Sequence, residues 1–124
     1  MKVSELHRQE VYTTQAEESL DAAADRMNWH QVGALPVFQG QRLVGIITER
    51  DLTAALAEGA DPVTTLVADY MTPAPEVLQA DSELTDAAGV MLELGVRHLP
   101  IVQGGRLVGL LSMRDVLGAG THGR

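Results

Sequence analysis

The chain has 124 residues, a formal charge of −8 and no cysteine. That length suits one domain or two very small ones, and it can bury roughly 65–70% of its unfolded surface without staples. Disulfides, thiolate metal sites and cysteine nucleophiles are excluded, and singly scattered basic residues argue against a nucleic-acid surface.

The N-terminal residues lack the apolar core of a signal peptide, which leads to the expectation of a cytoplasmic protein. The first expected elements are a short segment over 3–6 and a strand over 11–14. Next, Leu20, Ala23, Ala24 and Met27 fall at i, i+3, i+4 and i+7, the spacing of one helical face. The apolar runs 35–38 and 43–48 flank Gln39-Gly40-Gln41-Arg42 and read as an antiparallel hairpin. Neither the run 43–47 nor 107–111 approaches the about 20 apolar residues a membrane span needs. A helix over 49–58 follows, and Gly59-Ala60-Asp61-Pro62 interrupts it.

The series then repeats. A segment over 67–70 and a strand over 76–78 precede a second stripe of Leu84, Ala87, Ala88 and Met91. A second hairpin, 99–102 with 107–112, surrounds Gln103-Gly104-Gly105-Arg106, and a helix over 113–117 closes the set. The glycine-rich tail 118–124 is expected to fray. A shift of 64 residues aligns the halves without a gap, and ten of the 17 positions in 35–51 and 99–115 are identical. The spacing therefore divides the chain into 1–64 and 65–124. Each half is expected to be a β-α-β-β-α unit in an α/β (α+β) fold, and the units are expected to pack with pseudo-twofold symmetry, because an open sheet face needs covering. Gly45 and Gly109 lie inside strands, where glycine marks a bulge or a close backbone approach.

Thr48-Glu49-Arg50-Asp51 returns as Ser112-Met113-Arg114-Asp115. A hydroxyl followed three residues later by an acid is the pattern of a capping box at a helix start. Capping does not account for Arg50 and Arg114, which the helix dipole disfavours in the first turn by roughly 0.3–1 kcal/mol. Exposed helix N–H groups beside an arginine suit a phosphate, and a carboxylate can accept hydrogen bonds from sugar hydroxyls. From the residues alone, ligand binding and capping with shared ancestry both stand.

The repeated Leu-Pro-Val/Ile, glycine turn, Leu-Val-Gly and Thr/Ser-x-Arg-Asp resembles the CBS domain, named after cystathionine β-synthase. Two copies covering essentially the whole chain resemble a stand-alone CBS pair, or Bateman module. The resemblance implies adenine nucleotides (AMP, ADP or ATP) or related adenosyl compounds in clefts between the repeats. It places Asp51 with Thr48, and Asp115 with Ser112, at the ribose and phosphate. It places the base near Val11, Thr13, Ala34 and Pro36 in one copy, and near Val77, His98 and Pro100 in the other.

Arg97 and His98 stand where the first copy has Gly33 and Ala34. The resemblance gives basic residues there a phosphate role, so unequal sites are expected, the better phosphate site being the one that involves Arg97 and His98. His7, His30 and His122 show no metal spacing. Glu17, Glu18, Asp21 and Asp25 read as a solvated helix face, and Trp29 as a packing or interface residue. With no catalytic pattern and no required cofactor or metal, the expected function is regulatory, energy-sensing ligand binding that alters a homodimer or an unidentified protein partner. The alternative is a structural dimerisation module without a nucleotide.

Overall fold

A computed structural model describes residues 1–6 and 11–122. The expected elements are present with shifted ends. In chain order a 3₁₀ turn (Val3–Glu5) precedes β1 (Thr14–Gln15), α1 (Leu20–His30), β2 (Ala34–Gln39), β3 (Arg42–Thr48) and α2 (Glu49–Ala57). Then come α3 (Val67–Tyr70), β4 (Thr72–Pro73), β5 (Leu78–Gln79), α4 (Leu84–Leu94), β6 (His98–Gln103), β7 (Arg106–Ser112) and α5 (Met113–His122).

The chain forms two compact units, which divide it differently from the sequence repeat. One is Tyr12–Pro75, and the other joins Met1–Val11 to Glu76–Arg124. The leading segments account for the difference. Val67 N–H donates to Glu18 O at 2.8 Å and Ala68 N–H to Ala16 O at 2.9 Å, which ties α3 to the first helix start. Val3 N–H donates to Ser82 O at 2.8 Å and Ser4 N–H to Ala80 O at 3.0 Å, the equivalent bonds in the other unit. Val3 and Val67 are both fully buried, so each anchors its segment by apolar burial as well.

In the Tyr12–Pro75 unit the strands run β1-β2-β3-β4 across one sheet. Leu20, Ala23 and Met27 of α1 pack on Leu35, Val37 and Ile47 of the sheet, with Ala55 and Val67. Ala24 differs from the expected stripe: it is exposed and lines a shallow groove with Leu52 and Leu56. Gly40 has φ +63°, which serves the tight β2–β3 turn. Gly45 is a close approach, as expected: a Cβ there would stand 2.6 Å from Met71 Sδ and 2.8 Å from Thr72 O. Its neighbour across the sheet is Pro73 of β4.

In the other unit β5-β6-β7 form the sheet. Ala87 and Met91 of α4 pack on Leu78, Leu99, Ile101 and Leu111, with Val3. Gly104 and Gly105 both have positive φ (+60° and +77°), the requirement of a two-residue I′ turn. The tail expectation is corrected at Gly118: α5 continues to His122, with Ala119 buried, so apolar contact extends the helix past its glycine. Gly123 and Arg124 lie outside the described residues, as does His7.

The first strands start later than the expected residues 11 and 76. Parallel pairing begins at Thr14 with Val37, and at Leu78 with Ile101. One step earlier the partners are Pro36 and Pro100. Glu49 N–H donates to Gly33 O, which sets the phase of the β2–β3 ladder and turns the Pro36 nitrogen away from β3. A proline facing β1 offers no N–H to extend the ladder.

Candidate functional site

Each unit brings the expected residues to one end of its sheet. In the first, β2 begins and β3 ends there, with Ala34 opposite Thr48. Glu49 N–H, the first of α2, donates to Gly33 O at 3.0 Å. Carrying the parallel register back one residue places Thr13 beside Pro36. Thr13, Ala34, Pro36, Thr48, Arg50 and Asp51 therefore share one edge. Val11 is half-buried and belongs to the other unit, so it is not among the residues this edge brings together.

The second unit repeats the edge. His98 is opposite Ser112, and Met113 N–H donates to Arg97 O at 2.7 Å. The register places Val77 beside Pro100. Val77 is 38% exposed, an apolar side chain left outside the core. Arg97 is exposed and His98 half-buried, where the first unit has Gly33 and a fully buried Ala34.

The capping boxes are real. Thr48 N–H donates to Asp51 Oδ2 at 2.9 Å, the Thr48 hydroxyl donates to the same oxygen at 3.1 Å, and Asp51 N–H donates to Thr48 Oγ1 at 3.3 Å. In the second unit Ser112 N–H donates to Asp115 Oδ2 at 3.2 Å and Asp115 N–H to Ser112 Oγ at 3.1 Å. Both aspartates use Oδ2 alone. Among the described residues neither Oδ1 accepts a hydrogen bond. Capping thus orients each carboxylate and leaves half of it available.

Arg50 and Arg114 are exposed and make no hydrogen bond or ion pair among the described residues. Each sits in the first turn of a helix, α2 or α5, where it adds positive charge to the positive end of the dipole. That placement costs stability in isolation and favours an anion nearby.

Two relationships were not legible from the sequence. Arg26 grips Glu18 with both guanidinium arms (Nη2 to Oε2 at 2.9 Å, Nη1 to Oε1 at 3.3 Å) and also donates from Nη1 to Thr13 O at 2.9 Å. Glu18 Oε1 accepts Gln15 N–H at 2.9 Å. Glu18 is therefore no part of a solvated face, unlike the exposed Glu17, Asp21 and Asp25. Hydrogen bonding to Arg26 outweighs burial and holds its carboxyl below the ordinary value. The second relationship is a stack of Tyr12 on His30, ring centres 3.6 Å apart and planes 11° from parallel. Glu18 and Arg26 lie eight residues apart, outside any helical pairing rule. Their second-repeat counterparts are Ser82 and Val90, so the repeat comparison offers the only signal.

Among the described residues no group of three or more His, Cys, Asp or Glu could hold a metal ion. No helix among them is long and apolar enough to cross a membrane.

Two α/β units of like design, each presenting hydroxyl-x-Arg-Asp at a helix start beside a Leu-Pro strand, define a tandem-repeat architecture. The CBS-domain family model matches residues 3–58 and 67–122. The chain belongs to the CBS-domain family and is a CBS pair.

An uncharacterized 17.7 kDa protein of Acidianus ambivalens is 41% identical over 117 residues, covering 93% of this chain and 70% of the relative. A CBS-domain protein of Agrobacterium tumefaciens superposes with a TM-score of 0.89 at 31% identity, covering 96% of this chain and 92% of that one. CBSX2 of Arabidopsis thaliana, solved in complex with AMP, superposes with a TM-score of 0.81 at 29% identity, covering 98% and 96%.

Proposed function

We propose that this CBS pair is a regulatory, non-catalytic module that binds an adenine nucleotide or a related adenosyl compound. The observation that carries this reading is the shared geometry of Asp51 and Asp115: each is held by its cap through Oδ2 and retains Oδ1 as an acceptor. A ribose supplies paired hydroxyl donors for such an oxygen. Thr48 and Ser112 lie beside it, and Arg50 and Arg114 with the first helix N–H groups suit a phosphate. Thr13, Ala34 and Pro36 offer backbone and small apolar contacts to a base; Val77, His98 and Pro100 do so in the second unit. Arg97 and His98 add phosphate donors to the second site alone. The AMP complex of CBSX2 supports the ligand class.

Ligand binding regulates only through unequal affinity for two states of the protein. The state change falls on a cytoplasmic homodimer or on a protein partner. Isothermal titration of ligand-free protein with AMP, ADP, ATP and S-adenosylmethionine tests the reading: saturable heat with at least one is expected, and none with any removes it.

The second reading is a dimerisation module without a nucleotide. Trp29, 81% exposed on α1, and Leu56, 67% exposed on α2, favour it, since large apolar side chains left in water are available to a partner surface. Light scattering with and without nucleotide separates the two. A dimer indifferent to every nucleotide, with no heat of binding, supports this class.

A further inference from the structure

The leading segment of the first sheet is held by charged groups that the second sheet lacks. Arg26 donates to the Thr13 carbonyl, and Glu18 accepts the Gln15 N–H, so the ion pair fastens both sides of Thr14. The fork geometry matters: one guanidinium arm reaches both the carboxylate and the main chain, which a lysine ammonium cannot reproduce with the same planar fit. The pair is about two-thirds buried, with side-chain exposures of 32% and 28%, so it is less screened than a surface bridge. In the second repeat Ser82 and Val90 occupy the corresponding positions, and Val77 and Leu78 replace Thr13 and Thr14.

We propose that Arg26 and Glu18 are positioning residues that pre-order the ligand site of the first repeat, a device the second repeat lacks. This rests on the function proposed above and adds to it what holds the first site in order. Thr13 shares the sheet edge with Ala34, Pro36 and Asp51, so a fixed Thr13 removes ordering that ligand binding otherwise has to supply. Pre-ordering lowers the binding cost without a new ligand contact, which is why neither residue needs to touch the ligand. The second site, with Arg97 and His98 as extra donors but no such clamp, orders more of its edge on binding.

The test uses Arg26→Val, which installs the second-repeat residue, and Arg26→Lys, which keeps the charge and loses the fork. Each is placed in Asp115→Ala, leaving the first site, and in Asp51→Ala, leaving the second. The probe is AMP, or whichever of ADP, ATP and S-adenosylmethionine the wild type binds. Arg26→Val is expected to weaken the first site about tenfold and the second less than twofold, with Arg26→Lys intermediate at the first. A purely structural role would weaken both sites alike. Equal losses in the two backgrounds, or no loss in the first, overturn the proposal while leaving the binding function standing.

Amide hydrogen exchange on ligand-free protein judges the clamp separately. Gln15 N–H is expected to exchange at least tenfold faster in Arg26→Val, with Gln79 unchanged. Exchange at Gln15 that ignores the substitution overturns the positioning role. A wild type that binds none of the four compounds removes the function and this inference with it.

Discussion

Asp51 accepts the amide and the hydroxyl of Thr48 on a single oxygen, Oδ2, at 2.9 and 3.1 Å. The helix cap and the proposed ligand role are therefore compatible demands on one side chain. Asp51→Ala is expected to cost about 1 kcal/mol of stability through the lost cap, read as a lower urea midpoint. The same variant is expected to weaken adenosyl binding at its own site at least tenfold. Thr48→Ala should cost a similar amount of stability, since it removes the Oγ1 that accepts Asp51 N–H. A midpoint shift without a change in binding would assign both residues to capping alone.

Gly45 has no room for a methyl group. Met71 can swing its sulfur aside, but the Thr72 carbonyl at 2.8 Å belongs to the paired β4 backbone. Gly45→Ala is expected to destabilise the protein by about 1–3 kcal/mol, measured by urea denaturation. A midpoint unchanged within error would mean that β4 yields freely.

The helices α1 and α4 end in the same left-handed conformation with different residues, Gln31 at φ 55° and Gly95 at φ 68°. A side chain in that region costs roughly 1–2 kcal/mol. Gly95→Ala should lose about 1 kcal/mol. Gln31→Gly should gain less than that, because it also surrenders the Nε2 hydrogen bond to Asn28 O. Thermal unfolding of the two variants checks the opposite signs.

Glu18 ties stability to pH. Its folded pKa lies below the ordinary 4.5 because Arg26 stabilises the carboxylate. The contribution is therefore complete above the unfolded value and is lost as pH falls through the depressed folded one. Between about pH 6 and pH 3 the urea midpoint of the wild type should fall further than that of Arg26→Val. Parallel curves would show that the ion pair contributes nothing to folding.

Much of this structure was legible in the sequence because the repeat supplied each element twice. The Leu20–Met27 stripe, both hairpins and the close approach at Gly45 follow from spacing and residue type. The starts of β1 and β5 did not, because the deciding residues are Pro36 and Pro100 on the neighbouring strand, about 23 residues away. The attachment of residues 3–6 and 67–70 depends on tertiary burial of Val3 and Val67, which local pattern does not encode. The recurrence of Thr48, Asp51, Ser112 and Asp115 makes their capping geometry legible in the sequence. Glu18 and Arg26 escaped because they occur in one repeat only, and a charged residue near a helix reads by default as solvated.

The most direct measurement is the stoichiometry of AMP binding to the wild type, Asp51→Ala, Asp115→Ala and the double variant, by isothermal titration on ligand-free protein. Two sites in the wild type, one in each single variant and none in the double variant is the predicted result. Undiminished binding in the double variant, or no binding in the wild type, would contradict the assignment of the two aspartates as the anchors of an adenosyl ligand.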